Sequence, residues 1–289
     1  MKTRTGHFPI GFRRGRGDWQ SDLGKLVEWA VDNELEVIDI RSNDVDSAQV
    51  VLDAGLRIGS VDFAASRQMI SSDPAVRAEA IEKNKEHIAK CAKLGTVNHF
   101  LVMIPMDPSL PRAENFGYMV ESYAQIVPAL EAAGGRIVIE GWPGPGALCC
   151  TPEGCRALFR EIPSPALGIN YDPSHLIRMD IDHVRFLREF VDRVYHVHGK
   201  STEPLVDDYY EFGREQPATF AETKPFSGYT WRYTIPGHGV ARWGDIFSVL
   251  AENGYEGCVS IELEDRNFYG SAEAEQLGII MGASFLTGC

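Results

Sequence analysis

The stretch 136–140 reads RIVIE, a short apolar run that ends in a glutamate. Three later stretches have the same form: 166–172 reads ALGINYD, 195–198 reads YHVH, and 258–262 reads CVSIE. Each one ends in a residue that can ionise or bind a metal. Short runs rich in β-branched residues are typical of buried strands in a parallel sheet. The four stretches therefore predict four strands with functional side chains at their carboxyl ends.

Outward from these stretches, eight apolar runs alternate with longer amphipathic segments, as expected of repeated βα units. The chain has 289 residues, which suits one (β/α)8 TIM barrel of about 250 residues plus an insertion. We predict a single domain over 1–289. Strands are predicted at 7–12, 36–40, 57–64, 97–104, 136–140, 166–172, 194–198 and 257–262. Helices are predicted at 18–33, 45–54, 74–94, 113–133, 152–161, 182–189, 243–253 and 271–286.

An insertion is predicted at about 203–235, because 64 positions separate His198 from Glu262. This segment is rich in aromatic residues, more than one connecting helix requires. It follows the carboxyl end of a strand, so we expect it over the face where barrel active sites are built. A lid, a subunit contact in a homo-oligomer, and an aromatic cluster packed on its own loop all remain open.

Composition narrows the class of protein. Hydrophobic residues make up 44% and charged residues 24% of the chain, as in soluble globular proteins, and no apolar run is long enough to cross a membrane. The basic N-terminus lacks an apolar signal region, so we expect a cytoplasmic protein. A net charge of −13 disfavours nucleic-acid binding. The six cysteines have irregular spacing, which predicts free thiols.

The four strand ends point to a metal site. Parallel barrel strands deliver their carboxyl ends to one rim, so we expect Glu140, Asp172, His198 and Glu262 to surround one point. Carboxylates there are costly to desolvate and repel one another unless a cation is bound. Three oxygen ligands and one imidazole suit a divalent ion: Mn²⁺ is our first choice, and Mg²⁺, Co²⁺ and Zn²⁺ stay open.

Each residue alone also has a structural interpretation. A single strand-end glutamate is usually a salt-bridge partner, and a single strand histidine is usually a hydrogen-bonded core residue. His198 is preferred to His196 as a ligand because it lies nearer the rim. Lys200 binds a substrate oxygen or is a solvated loop lysine. Trp142 stacks on a sugar or caps the barrel, and Arg232 supplies a cation to substrate or is structural.

The sequence resembles the xylose isomerase-like TIM barrels, also described as sugar phosphate isomerases/epimerases or the AP endonuclease family 2 superfamily. The marks of the resemblance are IVIEGWPG at 137–144, NYDPSHL at 170–176, YHVHGKST at 195–202, and the block from Ile235 to Asp265. The family includes sugar isomerases, ketose 3-epimerases, inosose dehydratases and endonuclease IV. The resemblance covers essentially the whole chain.

The resemblance implies that Glu140, Asp172, His198 and Glu262 are metal ligands, and that Glu140 and Glu262 also carry protons on opposite faces of the substrate. His175 is similar to the family's substrate-binding or ligand-supporting histidine. Ketose 3-epimerases typically carry an arginine where this chain has Pro204, and many relatives have an aspartate where it has Ser201. Both departures weaken the case for a simple tagatose or psicose epimerase.

The leading hypothesis is a metal-dependent isomerase or epimerase of carbohydrate metabolism, acting on a small sugar, keto-sugar or polyol by proton abstraction next to a carbonyl. One alternative is a lyase or dehydratase that acts on a keto-inositol or a 3-keto-glycoside. Another is a non-catalytic barrel with a structural metal. Hydrolysis of the endonuclease IV kind is disfavoured because the remaining histidines are poorly placed for a trinuclear zinc site.

Overall fold

Eight strands form a closed barrel in the computed structural model, which describes residues 1–95 and 97–289. In chain order they are β1 (Ile10–Arg13), β2 (Val37–Ile40), β3 (Arg57–Asp62), β4 (Asn98–Val102), β5 (Arg136–Glu140), β6 (Leu167–Tyr171), β7 (Val194–Gly199) and β10 (Val259–Ile261). Around the barrel the order is β1-β10-β7-β6-β5-β4-β3-β2. The predicted (β/α)8 barrel is confirmed.

The helices follow the strands in the expected alternation. They are α1 (Leu23–Asp32), α2 (Gln49–Asp53), α3 (Pro74–Cys91), α4 (Arg112–Ala133), α5 (Pro152–Glu161), α6 (Pro173–Arg178), α7 (His183–Phe190), α8 (Val206–Phe212), α9 (Trp243–Glu252) and α10 (Ala272–Thr287). Side chains of Asp22, Asp73, Thr151, Asp172 and Ser271 accept hydrogen bonds from backbone N–H groups in the first turns of their helices. These caps satisfy donors that a helix start leaves without an intrahelical partner.

The predicted bounds of β5 and α5 agree residue for residue with the structure. The predicted strand at 7–12 is shifted, because β1 runs from Ile10 to Arg13, and the helix at 45–54 is shortened to Gln49–Asp53. The sequence reasoning missed α6 altogether. That helix begins directly after a strand, where Asp172 caps it and Pro173 occupies its first turn.

The chain divides into two compact units, residues 1–37, 172–189 and 198–289 in one and residues 38–171 and 190–197 in the other. In the first unit β1 pairs in parallel with β10, with Gly11 opposite Ser260. Gly11 allows the backbone of β1 to lie close to the backbone of Val37, because a Cβ on residue 11 would be 1.9 Å from the carbonyl oxygen of Val37. In the second unit β3, β4, β5, β6 and β7 pair in sequence, all parallel.

The core of the second unit is built from these parallel strands. Every residue of β6 is buried, and only the first residue of β5 is exposed. Such strands are apolar along their length because helices cover the sheet, so they lack the alternating pattern of a half-exposed strand. This explains why RIVIE and ALGINYD stand out in the sequence.

The insertion is folded and belongs to the first unit. Its two strands, β8 (Ser201–Pro204) and β9 (Trp231–Thr234), form an antiparallel pair, and α8 lies between them in the chain. Some aromatic side chains of the insertion pack together and others face solvent. The ring centroids of Trp231 and Tyr233 are 4.7 Å apart, whereas Tyr210 and Phe220 are 94% and 98% exposed. An aromatic cluster accounts for only part of the segment. Its role as a lid or subunit contact stays a prediction.

The cysteines and the long helices can also be compared with the sequence analysis. All six cysteines are free thiols, as expected. Within residues 1–95 and 97–289, no helix is both long enough and apolar enough to cross a membrane.

His183 makes the stability of the fold depend on pH. Its Nε2 accepts a hydrogen bond from the backbone N–H of Arg242, at 3.1 Å, and burial lowers the pKa of this imidazole. A histidine in the unfolded chain takes up a proton below about pH 6.5, whereas the folded one resists it. The unfolded state therefore binds more protons, and the free energy of unfolding falls as the pH drops through that value.

We expect His183→Gln, which keeps an acceptor for the Arg242 N–H but does not titrate, to flatten this dependence. The free energy of unfolding by urea, measured at about pH 7.5 and about pH 5.5, should fall less between these two values in the variant than in the wild type. His238→Gln, at an exposed position, is the control. Equal losses in wild type and His183→Gln would show that His183 does not contribute.

Candidate active site

Asp172 lies at the junction between β6 and α6. Its Oδ1 accepts a hydrogen bond from the backbone N–H of Ser174 at 2.8 Å, so the helix cap fixes the side chain. Its Oδ2 lies 3.1 Å from Lys200 Nζ and 3.3 Å from His175 Nε2. The carboxylate is fully buried. One oxygen therefore positions the group, and the other faces a cluster of polar side chains.

His198 and Glu262 lie beside this carboxylate. His198 is in β7, and Glu262 follows the last residue of β10. His198 Nδ1 and Glu262 Oε2 are 3.5 Å apart. One ligand atom from each of Asp172, His198 and Glu262 lies within 4.8 Å of those of the other two. Three residues that the sequence predicted as metal ligands are thus brought together, with atoms close enough to share one ion.

Two cations neutralise part of the negative charge. The Lys200 ammonium is fully buried and contacts Asp172, Glu262 and Glu264, with its Nζ 2.8 Å from Glu264 Oε2. Arg13, the last residue of β1, places Nε 3.3 Å from Glu262 Oε1. Lys200 therefore points into the carboxylate cluster, which contradicts its reading as a solvated loop lysine.

The two glutamates differ in their electrostatic state. Burial alone would raise the pKa of Glu262, but the charges of Lys200, His198 and Arg13 outweigh burial and hold that pKa well below its usual range. For Glu264, burial together with the charge of Glu262 outweighs Lys200 and raises the pKa. Glu262 is thus ionised at neutral pH, and three carboxyl groups, those of Asp172, Glu262 and Glu264, share the two cations Lys200 and Arg13.

His175 links this cluster to the insertion. Its Nδ1 lies 2.7 Å from the hydroxyl oxygen of Tyr233 in β9, and Arg178 donates a hydrogen bond to the same hydroxyl at 2.7 Å. The Arg178 guanidinium also stacks over the Trp231 ring at 4.0 Å. The aromatic residues of β9 therefore hold the side of His175 that faces away from Asp172.

The second unit contains the other predicted ligand, Glu140. It is the last residue of β5 and is 4% exposed, and its Oε1 accepts a hydrogen bond from the side-chain amide of Asn170 at 3.0 Å. His196 also lies in this unit, where its Nε2 is 2.8 Å from Asp39 Oδ2 and both side chains are fully buried. A paired carboxylate is typical of a hydrogen-bonded core histidine, and the preference for His198 as ligand stays a prediction.

Trp142 and Arg232 were predicted to bind substrate. Trp142 is half-buried in the loop after β5, and its ring lies against Gly144, where a Cβ would be 1.9 Å from the ring. Arg232 is in β9 and pairs with Glu203 and, at 3.2 Å, with the buried Asp265. The charge of Arg232 is thus matched within the first unit. A substrate contact for either residue stays a prediction.

Sequence reasoning missed Glu264 and Tyr233 as members of the cluster. Glu264 carried a signal, because it stands two positions after Glu262 and residues at that spacing share a face of an extended segment. Tyr233 was counted among the aromatic residues of the insertion. Nothing local marks it as a partner of His175, because the two are 58 positions apart.

Curated relatives cover only parts of the chain. The protein YfiH of Bacillus subtilis (strain 168) is 34% identical over 148 residues, which are 50% of this chain and 45% of YfiH. The inosose dehydratase of Clostridium tetani (strain Massachusetts / E88) is 30% identical over 105 residues, 36% of this chain and 33% of that enzyme. The matched part thus spans less than half the length of each relative.

Solved structures match nearly the whole chain in fold. The 3-keto-D-glucoside 4-epimerase YcjR from E. coli superposes with a TM-score of 0.71 at 13% identity, covering 98% of this chain and 100% of that one. The D-psicose 3-epimerase from Clostridium cellulolyticum H10, solved with D-tagatose, gives 0.71 at 14% identity, covering 97% and 100%. Identities this low establish the fold only.

The family described as xylose isomerase-like TIM barrel matches residues 25–286, which is most of the chain. The match includes Glu140, Asp172, His198 and Glu262. Together with the closed barrel, it shows that this protein belongs to the xylose isomerase-like TIM barrel family.

Proposed function

We propose that this protein is a divalent-metal-dependent sugar isomerase or epimerase that works by proton abstraction next to a carbonyl. The observation that carries the proposal is the convergence of Asp172, His198 and Glu262, whose ligand atoms lie within 4.8 Å of one another. A mixed set of carboxylate oxygens and an imidazole nitrogen suits a divalent first-row ion or Mg²⁺. Mn²⁺ is the ion that we propose to test first.

The charges of the cluster support a cation site. Lys200 faces three carboxylates, and the pKa of Glu264 is raised by burial and by Glu262 despite that ammonium. Carboxylates taken out of water need pairing or a metal. A divalent ion would add the positive charge that favours ionisation of all three carboxyl groups, so the residues present fit the ion that the family implies.

Glu140 is proposed as the fourth ligand. It ends β5, the strand beside β6 in the barrel order, and lies opposite Asn170 in the register. Asp172 follows Asn170 by two positions. Side chains at the carboxyl ends of neighbouring parallel strands meet at one rim of a barrel. The resemblance of the segment 137–144 to the family's motif supports the same assignment.

A divalent ion bound there would polarise a substrate carbonyl as a Lewis acid and so acidify the neighbouring C–H. We assign the proton transfers to Glu262 and Glu140. Glu262, ionised at neutral pH, accepts the proton from carbon, which leaves an enediolate. Return of a proton by Glu140 on the other face gives the epimer. Return to the adjacent carbon gives the aldose–ketose isomer.

The remaining side chains are proposed to bind substrate. Tyr233 contacts Nδ1 of His175, and Nε2 of the same ring lies 3.3 Å from Asp172 Oδ2, where we propose that it contacts substrate. The Lys200 ammonium is placed to neutralise charge that develops on substrate oxygen. Trp142 is proposed to stack on a sugar face, and Arg232 to approach substrate from the insertion. The substrate class is a small sugar, keto-sugar or polyol.

A second candidate is a dehydratase or lyase that acts on a keto-inositol or 3-keto-glycoside. The observation that favours it is the set of inosose dehydratases among the curated relatives, at 27–31% identity. The same abstraction of a proton starts both reactions. Expulsion of a β-hydroxyl or β-alkoxy group from the enediolate then replaces reprotonation.

Glu262→Gln tests the proton-transfer role. We expect the variant to lose C–H exchange with D2O at least about 100-fold, because removing a general base costs about 10² to 10⁴ in rate. Proton NMR with a panel of ketohexoses, inososes and 3-keto-glucosides measures the exchange, and product analysis separates an epimer from a dehydrated product. Glu256→Gln, at an exposed position, is the control. Full exchange in Glu262→Gln would remove Glu262 from the mechanism.

Chelation tests the metal. We expect chelator-treated protein to lose exchange and to regain it with Mn²⁺, because the carboxyl and imidazole groups alone do not polarise the carbonyl strongly. The melting temperature should also rise with added ion, since a ligand that binds only the native state stabilises it. A rise in melting temperature without exchange on any substrate would favour the barrel with a structural metal. No effect of chelator on either measurement would contradict the metal site.

Lys200→Met tests the charge balance in the chelated protein. Met keeps most of the stem but removes the ammonium, so the buried Asp172 carboxylate loses its lysine partner. Breaking a buried ion pair on one side costs about 3 kcal/mol. We expect a loss of this size in the free energy of unfolding by urea. Lys83→Met, at an exposed lysine, is the control, and equal stabilities of the two variants would contradict the proposed role of Lys200.

A further inference from the structure

A second group of metal-ligating side chains lies in the second unit, on α3 and β4. His87 and Cys91 are four positions apart in α3, so they share one face of the helix. His99 belongs to β4. All three are buried, with exposures of 8%, 0% and 1%. One ligand atom from each lies within 4.8 Å of those of the other two.

The distance between the two helical residues fits coordination of one ion. Cys91 Sγ lies 3.6 Å from His87 Nε2. In a tetrahedral site with a metal–nitrogen bond of about 2.0 Å and a metal–sulfur bond of about 2.3 Å, the nitrogen and sulfur are about 3.5 Å apart. The pair is thus already spaced as two ligands would be, without a change in the helix.

His99 supplies an independent sign of a ligand. Its Nδ1 is buried and has no hydrogen-bond partner among the residues that the structure describes. Burial lowers the pKa of His99 to about 3, so the imidazole is neutral, which is the form that binds metals. A buried polar atom without a partner is costly and rare in folded proteins. A bound cation would satisfy it.

The surroundings resemble those of metal sites. The His87 ring donates a hydrogen bond to the backbone of Asp62, and a bond of this kind orients a histidine ring. The Phe63 ring packs edge-on against His87 and His99, with centroids 6.3 Å and 5.8 Å away. The site is therefore held in place and dry. One thiolate and two imidazoles are soft and borderline ligands, unlike the carboxylates of the strand ends.

We propose that His87, Cys91 and His99 form a second cation site, which shares no residue with the strand-end site and takes a thiophilic ion, Zn²⁺ or Cu⁺. Binding forms a metal–sulfur bond, and the thiol proton of Cys91 passes to solvent. The ion joins α3 to β4. We expect its role to be structural, because all three ligands are buried.

Co²⁺ is the probe, because a thiolate ligand gives Co²⁺ an intense charge-transfer absorption in the near ultraviolet that oxygen and imidazole ligands do not. The strand-end residues include no cysteine, so this band reports on thiolates alone. We expect reduced wild-type protein to develop the band slowly, because the site is buried. At full intensity the band should correspond to one thiolate-bound Co²⁺ per chain, in addition to any Co²⁺ that the strand-end residues bind. Excess Zn²⁺ or Cu⁺ should bleach it.

Two variants assign the band. Cys91→Ala should lose it, whereas Cys258→Ala, at another buried cysteine, should keep it. Asp172→Asn should also keep it, because that change affects the strand-end site only. If Cys91→Ala does not fold, His99→Phe, which retains the thiol and an aromatic ring, should weaken the band and the affinity for Co²⁺ at least about tenfold. No thiolate band in the wild type, or a band that survives Cys91→Ala or is unchanged in His99→Phe, would overturn the proposal.

Discussion

The need to neutralise buried negative charge at the carboxyl ends of the strands governs the functional part of this protein. Asp172 is fully buried, and Glu262 and Glu264 lie against the same ammonium of Lys200. The charges of Lys200, His198 and Arg13 hold the pKa of Glu262 below its usual range, whereas burial and the charge of Glu262 raise the pKa of Glu264. Helices, caps and the insertion all serve to hold these groups in place.

The supports of the site come from different elements. The cap of α6 fixes Asp172 through a backbone hydrogen bond, and the β9 strand of the insertion fixes His175 through Tyr233. Arg178 binds the same hydroxyl and stacks on Trp231, so a helix next to the site and the insertion share one network. The insertion is therefore tied to His175, and its role as a lid stays a prediction.

The chain carries two kinds of potential cation ligand, and chemistry separates them. Carboxylates dominate the strand-end cluster, and carboxylate oxygens are ligands that suit hard or borderline ions. A thiol and two imidazoles form the group on α3 and β4, buried among aromatic rings. The first arrangement suits reaction with a substrate, and the second suits holding two elements together.

The sequence by itself determined the barrel, most of its strands, and which residues able to ionise stand at the strand ends. Buried parallel strands are apolar along their whole length, so RIVIE and ALGINYD can be recognised as strands from the sequence. The carboxyl ends of parallel barrel strands lie at one rim, so the residues that end them are expected to lie near one another. Only the tertiary structure decided that Lys200 and Glu264 belong with Asp172, that Tyr233 supports His175, and that His87 and Cys91 meet His99. Those contacts join residues far apart in the chain or on different elements, and no local pattern encodes which side chains long-range packing will bring together.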